Sequence, residues 1–306
     1  MDSALDGQNW SDDDLQQVLE WPDKKLDELI EAAYEVRKTH FGHDVQLKYL
    51  MNAKSGLCPE DCNYCSQSSV AESEIEQYSW RSEEELLKGA KEASELNANR
   101  YCIVASGRGP SEDEIDYLVE AVPKIKEQYE LKICLCLGLL KRDQAFRLSE
   151  AGVDIINHNL NTSKDYYGEI CTTHDFEDRV RTLEYVKEAG MTVCSGGIVG
   201  MGETRDDVIN LVKSLREQQP KIVPINFLIP IQGTPLEDEG ELTTEFCLKA
   251  LCLARFMLPD RDLTISAGRE WHLGPAQKDA LKIGSSLFIG GYLTTKGEEV
   301  REDLDM

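Results

Sequence analysis

Basic side chains are scarce in this sequence: 33 Lys and Arg stand against 57 Asp and Glu, a formal charge of −24. That shortage argues against a nucleic-acid binder, because such binding is dominated by Lys and Arg contacts to phosphates. It fits a saline habitat or simple solubility, and composition does not choose between them. No uninterrupted apolar run approaches the roughly 18 residues of a membrane span. The opening Met1-Asp2-Ser3-Ala4-Leu5-Asp6 lacks the basic and apolar regions of a signal peptide. The expectation is a soluble, cytoplasmic protein with neither nucleic acid nor membrane as partner. Histidine is also rare, with five in the chain. No second histidine or carboxylate flanks His158 as a metal pair would require, so His158 reads as structural.

Cysteine, by contrast, is plentiful. Ten cysteines in a cytosolic chain of this length point to metal or redox chemistry rather than a disulfide framework. Cys58, Cys62 and Cys65 stand at C-x3-C-x2-C spacing in a turn-rich loop after a strand-like run. Thiolates favour iron–sulfur clusters and zinc. Structural zinc wants four closed ligands, whereas here there are three and the next cysteine is Cys102. Three thiolates on a four-iron cluster leave one iron open to a ligand; zinc with a distant fourth ligand is the alternative. Cys171, Cys247 and Cys252 read as small buried hydrophobes, and Cys136 as a packing residue.

The remaining pattern is repetitive. Ser11 and Pro22 open two N-terminal helices, a cap over residues 1–43. In the first strand Val45, Leu47, Tyr49 and Met51 alternate with Gln46, Lys48 and Asn52. Further strands are expected at Tyr101–Val104, Ile133–Leu137, Val153–Asn159, Met191–Cys194, Ile222–Leu228, Leu263–Ser266 and Ser286–Ile289. Helices lie between them, one of which Pro123 should interrupt. Eight such units suggest an α/β fold, a closed (β/α)8 TIM-type barrel over residues 44–306 with an N-terminal helical extension, read as one domain. An open doubly wound sheet is the alternative that periodicity leaves. In a barrel the chemistry sits at the C-terminal strand ends. The Cys58 loop falls there, and Cys102, Cys134, Asn157, Asn159, Cys194 and Asn226 fall on strands two to six. Buried polar groups need partners, and their concentration at one end favours ligand binding over packing. Ser195-Gly196-Gly197 and Met201-Gly202-Glu203 suit close backbone approach to a ligand. Arg269 reads as an ion-pairing residue, since a guanidinium donates hydrogen bonds and accepts none.

Six blocks resemble the biotin synthases, a family of radical S-adenosylmethionine (SAM) enzymes: Gly56 to Cys65, Asn157-His158-Asn159-Leu160, Cys194 to Glu203, Val223-Pro224-Ile225-Asn226, Gly233-Thr234-Pro235-Leu236 and Ser266-Ala267-Gly268-Arg269-Glu270. The resemblance runs from about residue 45 to residue 295. It implies a sulfurtransferase that converts dethiobiotin to biotin with sulfur from an auxiliary cluster. Cys58, Cys62 and Cys65 would hold a [4Fe–4S] cluster that binds SAM. Cys102, Cys134, Cys194 and Arg269 would hold a [2Fe–2S] cluster deeper in the barrel. Tyr64, Asn159, Asn161 and Arg179 match positions around SAM; Asn157 and Asn226 match positions that bind dethiobiotin. A homodimer, a flavodoxin or ferredoxin donor and iron–sulfur assembly machinery are the implied partners. Asn161 departs from the aspartate of some members, from which altered SAM affinity is expected. A final helix is implied after the eighth strand, and with the chain closing at Met306 the last seam is expected to be less covered. Two other readings compete: a different radical SAM enzyme, which would need the first cysteine trio alone, and a zinc- or cluster-bearing binding module.

Overall fold

The computed structural model describes residues 10–56, 58–239, 242–291, 293 and 300–306. In chain order the elements are α1 (Asp12–Leu19), α2 (Leu26–Phe41), β1 (Gln46–Lys54), α3 (Glu83–Glu95), β2 (Arg100–Ala105), α4 (Glu112–Gln128), β3 (Lys132–Cys136), α5 (Arg142–Glu150), β4 (Ile155–Asn157), α6 (Tyr167–Ile170) and α7 (Phe176–Glu188). They continue with β5 (Thr192–Cys194), β6 (Gly197–Val199), α8 (Arg205–Gln218), β7 (Ile222–Phe227), α9 (Thr244–Met257), β8 (Asp262–Ile265), α10 (Arg269–His272), α11 (Gln277–Ile283), β9 (Ser286–Ile289) and α12 (Val300–Asp305).

All strand pairings are parallel, in the order β5-β4-β3-β2-β1-β9-β8-β7-β6, and Cys194 of β5 also pairs with Ile222 of β7. That last pairing closes the sheet. β5 and β6 are two halves of one strand broken at Ser195-Gly196, so eight strands form the expected (β/α)8 barrel. Helix starts are fixed locally: Ser11, Ser82, Ser111, Asp175 and Thr204 each accept the N–H three residues on, and an acidic residue there accepts their own N–H in return. Helices α1 and α2 pack on α9, and α2 also on α11, so the N-terminal segment covers one flank of the barrel.

Two expectations change, and a third gains a structural reason. Helix α4 runs through Pro123 without a break, held by Ile115, Leu118, Ala121, Val122 and Ile125, which are buried on either side of the proline. Proline costs one helical hydrogen bond, and this apolar face outweighs it. The glycine pair after β5 also has a packing reason: a Cβ on Gly196 would lie 1.8 Å from the Pro224 carbonyl oxygen of β7. The end of the barrel is also less bare than expected, because α12 follows β9 and the Asp303 carboxylate accepts the Gly290 N–H at 2.7 Å. Among the described residues, no helix is long and apolar enough to cross a membrane.

Candidate active site

The alternation in β1 points the opposite way from a sheet with a solvated face. Tyr49 turns outward to Tyr101 and the α3 residue Glu92, while Lys48 turns inward and is 2% exposed. In this barrel the tyrosine side of β1 meets the helices and the lysine side meets the lumen. The lumen holds Lys48, Arg100, Asn157 and Thr264 beside a small cluster of Cys102, Cys134, Cys194, Ile155, Ile222 and Phe288 that is separate from the main core.

At the C-terminal strand ends lies a cavity of about 300 Å³. Cys58, Cys62 and Cys65 line it, held by a loop tied to the segment after α6. The Asn63 N–H donates to the Ile170 carbonyl at 2.9 Å, and the Asp61 carboxylate accepts the Thr172 and Thr173 N–H groups at 2.9 and 3.1 Å. Tyr64, Asn159, Asn161 and Arg179 line the same cavity. The Asn161 amide donates to the Tyr64 hydroxyl at 2.6 Å. The Arg179 guanidinium donates to the Asn159 carbonyl at 2.9 Å and to the Tyr167 hydroxyl. Asn159 Oδ1 accepts the Gly196 N–H at 3.0 Å, which links this wall to the break in the fifth strand.

Cys102, Cys134, Asn157 and Asn226 reach the cavity from below. Cys102 lies opposite Cys134, and Asn157 opposite Cys194, in the strand register. Cys194 joins Cys102, Cys134 and Asn157 around a smaller adjoining cavity, so Asn157 borders both spaces. Burial pushes the Cys194 thiol up to about 12 and raises Cys65 and Cys58 as well. Metal binding at either trio therefore releases protons.

Arg269 lies elsewhere. Its guanidinium, 3% exposed, donates to Gln277 Oε1 at 2.5 Å, to the Phe288 carbonyl at 3.4 Å and to the Asp303 carboxylate. It also pairs with Glu270 at 3.0 Å, and it lines neither cavity. Three of the four expected residues are thus brought together and Arg269 stands apart, because the turn at Gly268 starts α10 and carries its side chain away towards α12. The cations beside the trio are Lys48 and Arg100.

Sequence reasoning read His158 as structural and Cys136 as packing, and passed over Glu60, His174 and Arg108; all five stand on the cavity wall. Burial, then the nearby Arg179, hold His158 neutral, far below its ordinary value. Among the described residues its Nε2 has no partner, and neither has Asn157 Oδ1. The position of His158 between two lumen-facing asparagines was the available signal. Glu60 accepts from Arg108 at 3.0 Å and pairs with His174 Nδ1. His174 Nε2 accepts from Arg179 at 2.9 Å. Arginine only donates, so the His174 proton sits on Nδ1, and the chain Glu60–His174–Arg179 fixes the guanidinium.

Residues 54–215 match the Radical SAM superfamily and residues 224–306 the Biotin and Thiamin Synthesis associated domain. Over 303 residues the chain is 51% identical to the biotin synthase of Anoxybacillus flavithermus, covering 99% of this chain and 92% of that one. Against the biotin synthase of Bacillus subtilis it is 50% identical over 305 residues, covering 100% and 91%. The chain belongs to the biotin synthase family. Methylornithine synthase superposes with a TM-score of 0.86 at 21% identity, covering 98% of this chain and 93% of that one. An FeFe-hydrogenase maturase from Carboxydothermus hydrogenoformans gives 0.80 at 20%, covering 97% and 72%. These two show the shared fold. Family membership makes the chain a radical SAM sulfurtransferase whose cofactors are SAM, a [4Fe–4S] cluster and a [2Fe–2S] cluster. The residues present fit these groups: two thiol trios, one at the mouth and one in the lumen, with unpartnered Asn157 and His158 atoms beside them.

Proposed function

We propose that this chain inserts sulfur into dethiobiotin to give biotin, with Cys58, Cys62 and Cys65 holding the [4Fe–4S] cluster and Cys102, Cys134 and Cys194 the [2Fe–2S] cluster. When bound, the clusters and SAM supply the electron, the hydrogen-abstracting radical and the sulfur. The observation that carries this reading is a single cavity bordered by Cys58, Cys62 and Cys65 at its mouth and by Cys102 and Cys134 at its floor. Substrate between them is near both, and proximity lowers the barrier by removing the search for orientation.

The protein's own part is to bind, orient and exclude water. Arg179 is fixed from both sides and places its charge at the SAM end of the cavity. Tyr64 and Asn161 form one hydrogen-bonded wall there. Asn157 Oδ1 has no partner among the described residues and is placed to accept a hydrogen bond from a ureido N–H of dethiobiotin. Asn226 is less free: its amide donates to the Gly197 carbonyl at 3.0 Å and its oxygen accepts the Ala267 N–H at 3.2 Å. It acts as a clip between strands that also borders the ligand. Leu50, Val104, Ile198, Phe227 and Phe288 keep the floor dry. The family resemblance further supports one barrel unit with its 1–43 cap, a homodimer, a flavodoxin or ferredoxin as donor, loading by iron–sulfur assembly machinery, and a cytoplasmic setting.

The test is anaerobic incubation of the reconstituted chain with dethiobiotin, SAM and reductant. Biotin and 5′-deoxyadenosine are expected together. Deoxyadenosine without biotin would make it a different radical SAM enzyme.

A further inference from the structure

The barrel floor carries an ion group that the proposed chemistry does not yet use. Lys48 Nζ lies 3.2 Å from Asp262 Oδ2 and donates to Thr264 Oγ1. Arg100 Nη1 lies 2.9 Å from the same carboxylate oxygen. Asp262 Oδ1 accepts from the hydroxyls of Ser285 and Ser286 at 2.9 and 2.5 Å. Lys48, Arg100 and Thr264 all border the small cavity that Cys102, Cys134 and Cys194 share. Lys48 pairs with Arg100 in the register, one interior layer below Cys102, and its ammonium lies 5.9 Å from the Phe288 ring centre.

A barrel interior is ordinarily filled by branched apolar side chains, and burying ions costs more than their pairing returns in many cases. Here two cations share one carboxylate, so the group carries one net positive charge. An oxidised two-iron cluster on three thiolates carries one net negative charge, since two ferric ions and two sulfides leave two positive charges against three negative ones. The two charges match. Nearby charge and hydrogen bonds to the sulfurs set a cluster's potential.

We propose that Lys48, clamped by Asp262 and Thr264, closes the fourth side of the auxiliary cluster site as its counter-charge, on the side where Arg269 was expected as a ligand. This rests on the assignment of Cys102, Cys134 and Cys194 as the auxiliary ligands. Lys48 is a positioning residue: it holds the sulfide-bearing cluster and raises its potential, and takes no part in bond making.

The test uses the full chain, reconstituted anaerobically, with labile sulfide, Mössbauer spectra and midpoint potential as readouts. Lys48→Met is expected to lower the auxiliary potential and shed auxiliary sulfide while the [4Fe–4S] signal stays intact, and Lys48→Arg to restore both. The double variant Arg269→Met/Asp303→Asn, which removes both members of a buried pair, is expected to keep the auxiliary signal. A wild-type potential and sulfide content in Lys48→Met overturns the proposal, as does selective loss of the auxiliary cluster in the double variant. Cys194→Ala separates the underlying assignment: if it too keeps the auxiliary cluster, the trio itself is wrong. Should Lys48→Met not fold, Lys48→Gln, which keeps a donor to Thr264 without the charge, decides it by the same lowered or unchanged potential.

Discussion

At the residue scale, two asparagines with the same expected role part company. Asn226 spends both ends of its amide on backbone groups, so Asn226→Ala leaves a buried N–H and C=O unpaired, at about 1–3 kcal/mol each. Asn157→Ala removes an oxygen that no described protein group uses. The expected outcome is a lower thermal midpoint for Asn226→Ala. For Asn157→Ala stability is nearly unchanged, but losing a ligand hydrogen bond of about 1 kcal/mol raises the dethiobiotin KM roughly fivefold. Thermal melts and steady-state kinetics on both variants check this. Asp262 supplies a pH signature. Burial pushes its carboxyl up, but Lys48, Arg100 and the serine hydroxyls outweigh that and leave it at about 2. An unfolded aspartate titrates near about 3.9. The stabilisation is therefore complete above that value and fades as pH falls towards the folded one. Asp262→Asn leaves buried cations unpaired and should cost about 3–5 kcal/mol at neutral pH. Urea melts of the metal-free chain from pH 7 down to pH 3 should show the gap to wild type closing below about pH 4. Arg269 holds the lesson about legibility at this scale. Its chemistry alone read as an ion-pairing side chain, which is what the structure contains. The ligand role came from the resemblance, and the turn at Gly268 could not be seen in a motif.

At the element scale, the strand–helix alternation was legible because each unit carries its own signals: a capping serine or threonine, a helical apolar stripe, a β-branched run. The direction of β1 was not. Alternation gives two faces without saying which is inside, and only closure of the sheet sends Lys48 and Asn52 to the lumen. The Cys58 trio was legible because its members are neighbours in sequence. Lys48, Arg100 and Asp262 are brought together only by the barrel. The break between β5 and β6 yields a further expectation. With Pro224 so close to Gly196, Gly196→Ala must push β7 away, at about 3 kcal/mol or more, the upper end for overpacking. A midpoint shift in urea checks it. An unchanged midpoint would mean that the fifth strand has room to give.

At the scale of the whole molecule, the fold does one thing that neither trio could do alone. It stacks a loop of three thiols over a lumen of three more and leaves between them a space lined by Asn157, Asn226 and apolar side chains. The most direct measurement is the origin of the sulfur atom. The auxiliary site is rebuilt with heavy-isotope sulfide, excess sulfide is removed, and one turnover is run with dethiobiotin, SAM and reductant before the biotin is weighed by mass spectrometry. The account predicts biotin carrying the heavy isotope, and none from Cys194→Ala. Biotin made with light sulfur, or made equally well by Cys194→Ala, would contradict it.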